Sequence, residues 1–513
     1  MSGKLPRSAD KSHVVRLPVV GTYNSRTIGA TTLNSASGIV GIGVVGTMIV
    51  GSTSSSNRDQ KYINAIPEKI TNPLTGKDTF YCYKRPGFAS HSTPASGSNG
   101  TAIRVWTGQG NGDKVISAFG LTNSTIYDGT SSIGTITGVV TSITETLLAG
   151  TANLVIAVDN NKGYYYPTGG AMTEITDVDY PGNASRTTTG AFAHLDGYTF
   201  IMDTTGRIYN SDLNSISAWS ADSYINSDMY PDKGVGLARY KDMIVGFGRE
   251  SIEFFRDVGG ATKVTPLARV NEAFIKIGAM GPEAITELED TIAWVSSSNI
   301  GSISVYVLDG YKAKKISTET IDSQLNLRGS ATIYLSSAKL FGKTLIFVQL
   351  PGQTFVYSME DDMWHEWSGQ VRYWHKFAAN TAATPVVYSI TRDDTSGKVF
   401  KLNPVSPVFT DNGNTYTMTV QTSKFDMDKE RRKFLSKLAI IGDISTSSST
   451  FNVSWSDDDY VTFSTARTLD ISNNRNYLTN CGSFRRRAFK LTNSSAYPVR
   501  LEALELEVSE GLH

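Results

Sequence analysis

The residues best able to do chemistry in this 513-residue chain form two short cationic runs. Lys429, Arg431, Arg432 and Lys433 lie in KERRK, and Arg485, Arg486 and Arg487 form RRR. Guanidinium and ammonium groups at this density take phosphate oxygens or an acidic protein face through charge-assisted hydrogen bonds. The bland alternative is a solvated strand end or turn, and no aromatics are interleaved for base stacking. His365 sits in Trp364-His365-Glu366-Trp367, just after Glu360, Asp361 and Asp362. That composition could hold a metal, but tryptophans packing between sheets at a strand end account for it better. The other histidines are scattered, and the chain has no HExxH, GxSxG, P-loop or GxGxxG. No catalytic, cofactor-binding or metal residue is therefore assigned, and no cofactor is expected. Carboxylate pairs of the glycosidase kind depend on tertiary geometry and leave no spacing to read.

A further motif, Ser456 to Phe463 (SDDDYVTF), resembles an Asp-box hairpin. Ser456, Asp458 and Thr462 match its pattern, while Tyr460 stands where the glycine belongs and Phe463 where the tryptophan does. An Asp-box is a structural turn, so it argues for a fold and not for a reaction.

The elements that position these groups are strands. From about residue 100 a unit recurs every ~40 residues: an apolar strand, a polar turn, a strand with Tyr, Phe or Val, then a Gly or Asp turn. NLVIAVDNNKGYYYP, AFAHLDGYTFIMDTTGRIYNS and KDMIVGFGRESIEFFRD are clear copies. That spacing is the length of a four-stranded propeller blade, and the turns DNN, DG, TTG and LPG are hairpin turns. The reading is an all-β chain: a β-propeller of six or seven blades over 101–404, an N-terminal extended arm with strands over 1–100, and an antiparallel β-sandwich over 405–513. The 48 basic and 48 acidic residues cancel, so bulk charge asks for no nucleic acid, anionic membrane or acidic substrate. Two distant cysteines, Cys82 and Cys481, fit reduced thiols made in a cytosol. The N-terminus has no apolar leader segment. The apolar run Ile39 to Val50 is too short for a spanning helix and reads as a buried strand.

Several stretches together resemble the tail hub, or nozzle, proteins of short-tailed (podovirus-like) bacteriophages, also called packaged-DNA stabilisation proteins. Leu17-Pro18-Val19-Val20-Gly21 with Tyr23, Ser25 and Arg26 is similar to that family's opening strand. Tyr62 to Glu68 (YINAIPE) and Lys84-Arg85-Pro86-Gly87 resemble its lead-in to the propeller. Ser251 to Phe255, Tyr306 to Gly310 and Lys315 to Ser317 look like its central blades, and SWSDDDYVTF, RRRAFKL and VRLEALELEV like its closing sandwich. The stretch Ile28 to Ser56 has no counterpart in that pattern. The resemblance implies a structural virion protein made in the host cytoplasm and placed in the tail. It implies a homo-hexameric ring below a dodecameric adaptor, with tail fibres or spikes outside. Double-stranded DNA would pass through the bore without sequence specificity and be retained until ejection, with no membrane partner. The competing readings are a propeller glycosidase or sialidase and a carbohydrate-binding adhesin at the host surface. A sialidase needs a set of arginines at the axis, and between residues 110 and 390 arginines are few: Arg186, Arg207, Arg239, Arg249, Arg256, Arg269, Arg328 and Arg372.

Overall fold

A computed structural model describes residues 13–19, 60–71, 78–106, 114–259, 265–297, 301–328, 333–369, 375–379, 386–392, 394–427, 431–443, 449–473 and 476–511. The run Ile39 to Val50 lies outside them. Among the described residues nearly every element is a strand, and Glu319–Arg328 is the one α-helix. No helix among the described residues is long and apolar enough to cross a membrane. The chain divides into two compact units. The first, here the meander unit, is Phe88–Glu360 with Gln370–Pro407; the second, the composite unit, gathers Met1–Gly87, Asp361–Gly369 and Val408–His513.

In the meander unit, antiparallel sheets follow one another along the chain. Gly100–Trp106, Lys114–Phe119, Asn123–Asp128 and Ser131–Thr137 make the first. Four-stranded successors span Val140–Glu174, Thr188–Asn226, Gly234–Ile275 and Ile285–Lys315. Three strands over Tyr334–Ser358 come next. The last sheet, His375–Ala379, Val387–Thr391 and Val399–Leu402, takes its fourth strand from Ala89–Ser92, with Lys401 opposite Ala89. Local chemistry sets the hairpins. Asp196 and Gly197 join Leu195 to Tyr198 with φ of 48° and 86°, both left-handed as a two-residue turn of matching twist requires.

The first strand of each sheet packs on the first strand of the next, and the strand His375–Ala379 packs back on Gly100–Trp106. Side-chain bonds show that these first strands run parallel. Thr141 and Thr144 hydroxyls donate to the carbonyls of Gly190 and Phe192 at 2.7 and 3.1 Å. Further round, the Ser337 hydroxyl donates to the Glu287 carbonyl at 2.9 Å while Lys339 meets Glu289 at 3.0 Å.

Hydrophobic clusters lie between sheets. Leu154, Ile156 and Val158 pack with Trp106, Ile116 and Ile126 of the sheet before, while Val155 and Ala157 pack with Phe192, Ile201 and Trp219 of the sheet after. Phe200 and Met202 likewise face one neighbour and Ile201 the other. Second strands such as LVIAV are therefore apolar throughout, because both faces are covered.

The composite unit holds two sheets around one core. In one, the order is Ala65–Thr71, Asp78–Lys84, Arg500–Glu510, Lys433–Gly442 and Tyr477–Thr479, with His13–Pro18 also on Arg500–Glu510 and Ser483–Phe484 on Lys433–Gly442. In the other, it is Met363–Trp367, Lys61–Ile63, Met418–Gln421, Ala488–Asn493, Thr450–Ser456 and Arg467–Asp470. Leu17, Val19, Tyr62, Met418, Leu438, Phe451, Phe489 and Leu504 form the shared core. Cys82 and Cys481 are free and buried there.

Candidate functional site: a cationic edge and a buried arginine

The composite unit brings the two cationic runs together. Lys433 opens the strand Lys433–Gly442 and pairs with Phe484, while Phe425 bridges to Arg487 on the other side of the same short turn. The Lys433 ammonium is buried and donates to the carbonyls of Arg431 (3.0 Å) and Arg485 (2.8 Å), tying one run to the other. Arg487 is also buried. Its guanidinium makes two bonds to the Asp457 carboxylate (2.7 and 2.8 Å), donates to the Cys481 carbonyl (2.6 Å) and stacks against Phe484 and Trp455. These two charges are therefore committed inside the fold. Arg431, Arg432, Arg485 and Arg486 remain on the surface, and Lys429 lies outside the described residues.

The acidic triplet divides its work residue by residue. Asp457 holds Arg487, and Asp459 takes both Arg486 nitrogen bonds at 2.8 Å together with Lys424 at 2.9 Å. Partial burial works against ionisation of Asp459, but the Lys424 and Arg486 cations hold its carboxyl below the usual range. Asp458 serves the hairpin itself. It accepts the Thr462 hydroxyl (2.5 Å), the Thr462 amide (2.9 Å) and the Ser456 hydroxyl (2.8 Å), which bring its carboxyl down to about 2. The Asp-box thus keeps its wiring. Tyr460 occupies the glycine position at φ of 68°, a left-handed conformation unfavourable for a bulky residue. Its buried ring and the bond from its hydroxyl to the Thr422 carbonyl (2.9 Å) offset that strain.

A second polar centre unites the lead-in motifs. Arg85 is fully buried, with two bonds to Asp411 (3.1 and 2.5 Å), one to Asn64 (2.8 Å) and one to the Ser368 carbonyl (2.8 Å). Its guanidinium lies over Tyr416 at 4.1 Å and Trp367 at 5.3 Å. Asn64, at φ of 53°, also donates to the Ser368 hydroxyl (2.7 Å) and the Thr417 carbonyl (2.8 Å). Beside it Lys84 is buried over the Tyr416 ring at 4.7 Å, and burial brings its ammonium down to about 8. At Gly87 a Cβ would stand 2.1 Å from the Thr410 carbonyl oxygen, so no side chain fits. The Asn64 and Lys84-Arg85-Pro86-Gly87 motifs are one interlock.

His365 is buried with its ring 6.2 Å from that of Trp367. No group of three His, Cys, Asp or Glu side chains is gathered for a metal among the described residues. Sequence reasoning missed Asp457, Asp459 and Asp411 as partners. The equal lengths of DDD and RRR were the available signal for the first two; Asp411 carried none.

Successive four-stranded sheets with apolar clusters between them are the arrangement of a β-propeller. A family model described as "Bacteriophage P22 Gp10, beta-propeller" matches residues 47–404, more than half of the chain, and the chain belongs to that family. Among curated proteins it resembles the tail hub protein gp10 of Salmonella phage P22, with 26% identity over 167 residues. That match covers 31% of this chain and 35% of the relative, so it spans about a third of the relative's length. Among solved structures, BBS1N crystallised in complex with ARL6DN aligns with 14% identity and a TM-score of 0.39 over 63% of this chain and 99% of that one. PorZ, of the type-IX secretion system of Porphyromonas gingivalis, aligns with 10% identity and a TM-score of 0.37 over 66% and 43%.

Proposed function

We propose that this protein is the hub of a phage tail, a hexameric ring whose bore continues the DNA channel below a portal adaptor. The family match over residues 47–404 carries the reading. The ring helps retain packaged double-stranded DNA, passes it without sequence specificity, and offers its outside to tail fibres or spikes. No step of this work is catalytic and none needs a membrane.

In architecture, the propeller has seven blades and occupies about 101–404, closed by Ala89–Ser92. The C-terminal region, about 405–513, is a β-sandwich, and 1–100 is an arm with strands. The cyclic packing of the first strands supports the blade count, and the single core between two sheets supports the sandwich. Closing a propeller with a strand from the far end of the segment removes the open edge that would otherwise template aggregation.

The surface cations Arg431, Arg432, Arg485 and Arg486, with Lys429, meet the adaptor or a neighbouring copy and not the moving duplex. Every phosphate neutralised strengthens binding and would resist ejection, and Arg486 is already half spent on Asp459. Particles assembled without this protein should package DNA and then lose it. Particles that hold their DNA normally in its absence would sink the reading.

A further inference from the structure

Asparagine followed by glycine is prone to lose its side-chain amide, because glycine leaves its own backbone nitrogen unshielded. The chain holds three such pairs: Asn99-Gly100, Asn111-Gly112 and Asn412-Gly413. Asn111-Gly112 lies outside the described residues. Gly100 is buried as the first residue of a strand, and the Asn99 side chain donates to the Arg392 carbonyl at 2.6 Å. That pair is held in place.

Asn412-Gly413 is built differently. Asp411 and Asn414 exchange two backbone bonds, at 2.8 and 2.9 Å, and so close a two-residue turn. Asn412 and Gly413 occupy it at φ of 49° and 85°, left-handed at both positions. Asn412 is half-buried and Gly413 is exposed, and a Cβ on Gly413 would meet nothing within 4 Å. The Gly413 nitrogen takes no part in the two bonds that close the turn. Almost the same turn recurs at Asp196-Gly197, with φ of 48° and 86°. There the side chain is a carboxylate, which has no ammonia to lose. The molecule thus carries its own control for backbone geometry.

We infer that Asn412 is a self-modification site, where the side-chain amide becomes a carboxylate in the folded protein. The Gly413 nitrogen bonds to the Asn412 side-chain carbonyl carbon and gives up its proton. The bond from that carbon to the amide nitrogen breaks, and ammonia leaves. Water then opens the five-membered ring at either of its carbonyls, giving aspartate or isoaspartate. One water is taken up and one ammonia released, with no oxidation or reduction.

The neighbouring residue makes the position consequential. Asp411 holds the buried Arg85 guanidinium through two bonds, and the turn that Asp411 opens fixes where its carboxylate lies. Isoaspartate routes the main chain through the former side chain, one carbon longer, so the turn no longer fits between Asp411 and Asn414. Either product sets a second carboxylate beside Asp411. Modification therefore slackens the Arg85 interlock as the protein ages.

The test uses the full-length protein, aged at physiological temperature at pH 6 and at pH 8, then digested and mapped by mass spectrometry. Conversion at Asn412 should exceed that at Asn99 by about tenfold and rise about tenfold per pH unit, since the attacking nitrogen must first lose a proton. The Asp196 peptide should stay unchanged. Hydrogen exchange should then show protection lost in the aged wild type around Asp411 and Arg85. The variant Asn412→Gly keeps a residue suited to the left-handed turn and has no amide to lose, so its aged and fresh forms should exchange alike. Asn412 converting no faster than Asn99 would overturn the site. Conversion that leaves the aged wild type as protected as aged Asn412→Gly would overturn its effect on the interlock.

Discussion

The meander unit and the composite unit are both all-β, yet they are held together by different means. In the meander unit the sheets follow one another along the chain, the last alone borrowing a strand from Ala89–Ser92, and apolar clusters lie between neighbours such as Phe247 against Trp294. The composite unit draws strands from residues 13 to 510 into two sheets, and a fully buried arginine ties its own stretch to the Asn64 and Asp411 side chains and the Ser368 carbonyl. A repeating body tolerates any joint that recurs; a body assembled from distant stretches needs joints that specify which strand goes where.

The sharpest way to break that contrast is Asp411→Ala. It leaves Arg85 buried without its counter-charge, which costs about 3–5 kcal/mol. Hydrogen exchange followed by mass spectrometry should show protection lost across the peptides of the composite unit and retained in the meander unit. Equal loss in both would mean the units do not differ as described. The double variant Arg85→Met with Asp411→Leu should recover most of the loss, since a removed pair costs less than a broken one.

A gentler probe is acid. In the meander unit, His194 is half-buried with its ring bonded to the Thr146 hydroxyl, and desolvation followed by the Arg239 charge brings its imidazole down to about 4. The unfolded chain takes a proton near pH 6.5 and the folded chain does not until about 4, so stability falls as pH drops through that window. His91 acts in the same sense, while Glu253, whose carboxyl burial pushes up, acts against it. Thermal melts of His194→Gln at pH 7 and pH 4.5 should show a smaller drop than the wild type; an unchanged drop would remove His194 from the explanation.

The smallest effect belongs to the hairpin. Asp458 is held down to about 2, so its contribution is full above the ordinary carboxylate value of 3.8 and is lost as pH falls from there towards 2. Asp458→Asn should weaken the composite unit slightly at pH 6 and flatten its decline between pH 4 and 2, read by the same melts. A variant declining as steeply as the wild type would show that the Asp-box bonds do not govern the turn.

How much of this was legible in the sequence follows from the same contrast. The meander sheets were visible because each hairpin is local: Asp196-Gly197 announces its turn, and YTFIMD its strand. That neighbours cover both faces of LVIAV is a fact that only packing supplies. The cationic runs were legible as charge but not as geometry. Arg487 finds Asp457 at 30 residues' separation and Arg85 finds Asp411 at 326, and no local pattern encodes such pairings. The lead-in motif was recognisable by likeness to a family, while its physical reason, a buried guanidinium between Tyr416 and Trp367 with a carbonyl pressed on Gly87, needed the structure.

The most direct test of the tail-hub reading is an image of the virion, averaged without imposed symmetry, with the protein's position marked by a tag at one terminus. A sixfold ring at the tail, below the adaptor, with one propeller per copy is the result expected. The protein found away from the tail, or in the tail in any arrangement other than a closed ring of six, would contradict it.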